Sequence, residues 1–112
     1  MKATNKGDIM KELIEKVKVL ATEELKNANK KFPMFSSTHE GWAVISEEFQ
    51  ESSEELGYVK RELEIIWNYI RSNDKNYVTS HIKSLQIDAL NLAAEAIQVA
   101  AMAQKFIDSE LV

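Results

Sequence analysis

The stretch "WAVISEEFQESSEELGYVKRELEIIWNYI", residues 42–70, decides the fold. Trp42, Ile45, Phe49, Ser52, Leu56, Val59, Leu63, Ile66 and Ile70 follow one another in steps of three and four. That is the spacing of one helical face, sustained as a seam along the whole stretch. Ser52 and Ser53 thin the seam in its middle, and Gly57 lowers helix propensity and allows a bend there. Upstream, Ser37 and Glu40 have the S-x-x-E spacing of a capping box, which starts this helix at about Thr38. Downstream, "RSNDKN" supplies turn-forming residues that end it.

The same period appears on both sides. In "DIMKELIEKVKVLATEELKNANKKF" the apolar residues Ile9, Leu13, Val17, Leu20 and Ala28 mark an amphipathic helix. Asp8 is the expected N-cap, since its carboxylate can accept from the free N–H groups of the first turn. Lys26, Lys30 and Lys31 suit the negative pole at the far end. Pro33 disfavours helical geometry at Phe32 and stops the helix there. The third helix centres on "ALNLAAEAIQVAAMA", which is apolar almost all round and is expected to be the buried one. No segment has the period of two of a strand. The expected fold is all-α, a single domain of three long helices at about 8–31, 38–72 and 79–110, completed by oligomerisation as a homo-oligomer (dimer or tetramer) because one chain alone would expose too much apolar surface.

Composition agrees. The chain has 112 residues, with three Gly, one Pro and no Cys, 45% hydrophobic and 29% charged. This is a globular balance that excludes a disulfide framework and thiolate chemistry. A net charge of −4 from 14 basic and 18 acidic side chains argues against nucleic acid as a partner. The polar start "MKATNKGDIM" is unlike a signal peptide. The longest apolar run, "VAAMA", is far below the roughly 20 residues of a membrane span. A soluble, cytoplasmic protein is expected, with no membrane partner.

The chemistry of interest lies in the glutamates. With Ile45 at zero and about 100° per residue, Phe49, Ser52 and Leu56 fall within about 40° of it. Glu48, Glu55 and Glu51 fall near −60°, −80° and −120° by the same rotation, on one shoulder of the seam, and Glu62 continues that line. Glu47 and Glu54 point to water. A solvated face is the ordinary reading of such a run. In the third helix, Asp88, Asn91, Glu95 and Gln98 recur at helical spacing and are expected on one face. A carboxylate such as Glu95 within an apolar helix is costly unless paired with a base or bound to a metal. Two helices with facing carboxylates suit a hard cation such as Mg²⁺, which prefers oxygen ligands and bridges to phosphates. No HxxxH or ExxH pair is present, which counts against zinc and di-iron sites.

The pattern "EEFQE", Glu47-Glu48-x-x-Glu51, resembles the E-E-x-x-E motif of the all-α nucleoside triphosphate pyrophosphohydrolases, the MazG-like group. "FPMFSSTHEGWAVISEEFQESSEEL" and "EAIQVAAMAQKFI" look like segments of its small phage- and prophage-type members. The resemblance covers residues from about 28 to 107. It implies a Mg²⁺ site in which Glu48 and Glu51 come from the first motif and Glu95 opens the second, an oligomer with the site near a subunit contact, and a nucleoside triphosphate as substrate. Gln98 stands where the family has Asp, keeping an oxygen ligand but losing a charge, so a weakened activity is implied. Glu55, Asn91 and Asp88 are additional candidates, although Asp88 lies about 15 Å along the helix from Gln98. The alternative is a non-catalytic helical interaction protein in which the acidic shoulder is solvated. His39 and His81 read as capping or packing residues, and Trp42 and Trp67 as core or interface residues. Lys60, Arg61, Arg71, Lys75 and Lys83 could meet a triphosphate or simply line the surface. No Gly-rich phosphate loop is present.

Overall fold

The computed structural model describes residues 5–112. They form three helices, α1 (Lys6–Lys31), α2 (Thr38–Arg71) and α3 (Val78–Asp108), with no strand among the described residues. The fold is therefore all-α, with the three long elements that the periodicity predicts.

The helix ends follow from local chemistry. Asn5, not Asp8, caps α1: its Oδ1 accepts from the Asp8 backbone N–H at 2.9 Å. The helix starts earlier than expected, so Asp8 sits in the first turn, where a carboxylate favours the positive pole. Phe32 ends α1 in extended geometry, as the following Pro33 requires. At α2, Ser37 Oγ accepts from the Glu40 N–H at 3.1 Å, the first half of a capping box. The Glu40 carboxylate accepts from Ser36 Oγ at 2.8 Å. The α2 terminus is a Schellman motif: Asp74 N–H donates to Tyr69 O, Asn73 N–H donates to Ile70 O, and Asn73 takes a left-handed φ of 59°.

The chain divides into two compact units, one formed by residues up to Ile45 with Ile97–Val112, the other by Ser46–Ala96. In the first, Phe35, Ala101 and Met102 are buried, with Leu25, Ala28, Val44, Ile45, Phe106 and Leu111 packed against them. Ser109 Oγ ties this core together, accepting from the Phe35 N–H and donating to Lys105 O. Lys105 lies buried with its Nζ 5.1 Å from the centre of the Phe35 ring, a cation–π contact. In the second unit, α2 and α3 run antiparallel across the turn at residues 72–77, with Ile66 buried. No described helix is long and apolar enough to cross a membrane.

Two expectations about burial are corrected. The apolar middle of α3 is largely open: within it only Ala101 and Met102 are buried, and Leu90 is 65% exposed. The α2 seam splits, with Ser52, Val59 and Ile66 turned inward and Phe49, Leu56, Leu63 and Ile70 outward. A helix with few neighbours in its own chain cannot bury a face this wide.

Two glycines of α2 behave oppositely. A Cβ on Gly41 would run into the Phe106 ring and meet Phe35 at 3.1 Å, whereas one on Gly57 would find nothing within 4 Å. Gly57→Ala should therefore stabilise the fold by about 0.5–1 kcal/mol, the ordinary Gly-to-Ala gain inside a helix. Gly41→Ala should destabilise it by about 1–3 kcal/mol through overpacking. Thermal melting of the two variants reads both signs.

Candidate metal centre

The antiparallel pairing of α2 and α3 in the Ser46–Ala96 unit sets the site. Glu62 Oε2 lies 2.7 Å from His81 Nδ1. Stepping two turns back along α2 and two turns forward along α3 pairs Glu55 with Asp88, and the next such step pairs Glu48 with Glu95. Seven residues make nearly two whole helical turns, so each step returns to the same face. Polar side chains thus recur at three levels between the helices.

The level at Glu48 and Glu95 gathers three carboxylates. One oxygen from each of Glu48, Glu51 and Glu95 lies within 4.8 Å of the others. Glu48 and Glu95 are half-buried, and Glu51 is exposed. Glu51 joins because it follows Glu48 by three residues, nearly one turn, on the side of α2 that reaches toward Glu95. Among the described residues no lysine or arginine forms an ion pair with any of the three.

The electrostatics follow. Burial raises the pKa of Glu48, and the charges of Glu51, Glu95 and Glu47 raise it further. Glu51 is raised chiefly by a side-chain hydrogen bond with Glu95, then by the charge of Glu95 and by desolvation.

The other candidates are placed as follows. Glu55 is half-buried, and its Oε2 is buried without a hydrogen-bond partner. Asp88 is half-buried and Asn91 exposed. Gln98 donates from Nε2 to Glu24 Oε2 at 2.7 Å, which ties it to α1. The single face expected for residues 88, 91, 95 and 98 is therefore two columns. Asp88 and Glu95 are seven apart and share one. Asn91 and Gln98 are also seven apart and lie about 60° round the helix. An acid at position 98 would meet the Glu24 carboxylate.

His81 is more than the packing residue expected. Besides its contact with Glu62, it stacks on Tyr69 with ring centres 5.5 Å apart, and Tyr69 meets Tyr77 at 5.6 Å. The seven-residue steps 62, 55, 48 and 81, 88, 95 are the sequence signal that reveals this level. Trp42 and Trp67 are exposed, as are Lys60, Arg61, Arg71, Lys75 and Lys83. His39 is exposed beside Trp42 at a shallow hollow of about 500 Å³ that Thr38, Ile45 and Phe106 complete.

Comparison with protein-family models, curated proteins and solved structures finds no match to this chain.

Two outcomes are expected here. With Glu48 and Glu51 raised, the folded chain binds protons more tightly than the unfolded one. Their stabilising contribution is full below about pH 4.5 and is lost as pH rises through the raised values. Metal-free melting temperature should fall over that window, and Glu48→Gln should flatten the fall. Separately, His81→Ala should cost about 1–3 kcal/mol, because it leaves the largely buried Glu62 carboxylate unpaired. Chemical denaturation measures that loss.

Proposed function

We propose that this chain is a divalent-cation protein of the MazG-like type, holding Mg²⁺ on Glu48, Glu51 and Glu95 to bind and hydrolyse a nucleoside triphosphate. The observation that supports it is the convergence of three carboxylate oxygens within 4.8 Å, from two helices, with no basic side chain paired to them. The donor set fits the ion. Mg²⁺ takes oxygen ligands at about 2.0–2.1 Å, so two of them stand at most about 4.2 Å apart, a distance that small side-chain rotations reach from here.

Bound there, Mg²⁺ would polarise a phosphoryl oxygen and lower the pKa of a coordinated water. The chain's own residues do the rest. Glu48, half-buried, fixes the inner side of the site. Glu51, exposed, leaves the outer side open to a phosphate group and solvent. Glu48 and Glu51 hold protons more tightly than ordinary carboxylates, so protons compete with a cation there and cation affinity rises with pH. The nucleotide as substrate rests on the E-E-x-x-E resemblance.

A second reading, a helical interaction protein without catalysis, draws on Gln98. At the position where the family has Asp, this residue is tied to Glu24. In that reading the acidic shoulder is solvated and the helices serve an interaction rather than hydrolysis.

Calorimetric titration with Mg²⁺, run at two pH values and in buffers of different ionisation enthalpy, tests the cation site. Saturable binding that releases protons and tightens with pH is expected, weakened at least about tenfold by Glu95→Gln. The absence of a heat or a melting shift at about 10 mM Mg²⁺, roughly tenfold above a millimolar Kd, would remove the site. Pyrophosphate release from a panel of nucleoside triphosphates then separates the hydrolase from the non-catalytic reading.

A further inference from the structure

The first half of α1 takes no part in the core of its unit. Leu25 and Ala28 are the α1 side chains packed against Phe35, Ala101 and Met102, and no residue of the helix is buried. Residues 6–20 extend the helix by about 22 Å before those contacts begin. Yet this half is amphipathic. Ile9, Met10, Leu13, Ile14 and Leu20 are between 44% and 53% exposed, and Val17 beside them is half-buried.

The charges around this apolar face are sorted by sign. With Ile9 at zero and about 100° per residue, the six apolar residues fill an arc from zero to about 140°. Lys16 falls about 20° beyond one edge, and Lys18 and Lys11 fall about 40° and 60° beyond the other. Asp8, Glu12 and Glu15 all lie within about 50° of the pole opposite the arc. Lys18 Nζ leans toward that pole, 3.0 Å from Glu15 Oε1. Two residues depart from the pattern: Val19 stands among the acids, and Lys6, in the first turn, lies within the arc.

We propose that residues 6–20 of α1 lie flat on an anionic phospholipid surface, apolar arc downward, with Lys11, Lys16 and Lys18 among the headgroups. A helix in the membrane interface buries its apolar face at the level of the headgroups and acyl chains and keeps its polar face in water. Lysines at the boundary fit this best, since the stem packs on apolar surface while the ammonium reaches outward to phosphate. Acids at the far pole stay in water, away from lipid of their own sign. Helix-to-helix contacts are instead commonly flanked by lysine and glutamate together, and both edges of this face carry lysine. The rest of the chain sets the orientation. Residues 21–112 carry nine basic and fifteen acidic side chains, whereas residues 6–20 carry four lysines against three acids. An anionic surface attracts this half-helix and repels the remainder. That no described helix can cross a membrane does not bear on one that lies along it. The placement holds whether or not the carboxylate cluster binds a cation.

Cosedimentation of the full chain with vesicles tests it, using phosphatidylcholine alone and with about a third phosphatidylserine. Binding to the anionic vesicles is expected, at least about tenfold tighter than to the neutral ones, because each lysine at such a surface is worth about fivefold. The double variant Lys11→Glu, Lys16→Glu should lose at least about tenfold with its helix content retained by circular dichroism. The chain has no Cys, so a single engineered one can carry an environment-sensitive dye. On anionic vesicles the dye should shift to shorter wavelength at Leu13→Cys and stay unshifted at Glu12→Cys. If the lysine variant loses helix, this pair of labels decides alone. No binding at about 1 mM anionic lipid, some ten times what half-binds a single myristoyl chain, overturns the proposal. So does equal binding to neutral vesicles, or a shift at position 12 as large as at position 13, since another surface would then be touching the lipid.

Discussion

Glu48, Glu51 and Glu95 repel one another, and the packing of α2 on α3 has to hold them together against that repulsion. Like charges this close are tolerated in few ways: a proton shared between them, a base brought alongside, or a cation. Among the described residues no lysine or arginine is paired with them, and the pKa values of Glu48 and Glu51 are raised. Protonation of Glu48 or Glu51, or a bound cation, would relieve that repulsion. Ile66 is the one buried apolar side chain of this unit, so apolar contact has little to set against the repulsion.

What keeps the helices in register is the other end of the same pairing. Near the turn, Glu62 meets His81, and Tyr69 lies against both His81 and Tyr77. This contact fixes which residues of α2 oppose which of α3, and the level of Glu48 and Glu95 follows four turns away by helical repeat alone. Glu55, between them, has a buried oxygen without a hydrogen-bond partner. Polar side chains run along this interior beside Val59 and Ile66. Further apolar surface stands on the outside of α2, at Phe49, Leu56, Leu63 and Ile70.

Much of this was legible in the sequence, because helical period and turn chemistry are local. Pro33, Ser37 and the "RSNDKN" turn placed the helix ends to within a residue or two; facing put Glu48, Glu51, Glu55 and Glu62 on one shoulder, and the E-E-x-x-E resemblance singled out Glu48, Glu51 and Glu95, whose carboxylates lie together. Three things were not legible, each for want of a partner. Asp8 looked like a cap because Asn5, with a still better placed side chain, lay outside the apolar pattern. The seam of α2 read as one core face because period alone cannot say that half of it meets α3 and half meets nothing in the chain. Gln98 seemed to join Glu95 because residues three apart are neighbours on a helix, yet the rotation between them turns Gln98 toward Glu24 on α1.

The most direct test of a cation among these carboxylates is anomalous diffraction from crystals grown with Mn²⁺, which shares the oxygen preference of Mg²⁺. A single anomalous peak at bonding distance from Glu48, Glu51 and Glu95 is predicted. Mn²⁺ bound elsewhere, with these three carboxylates free of it at saturating concentration, would contradict the account.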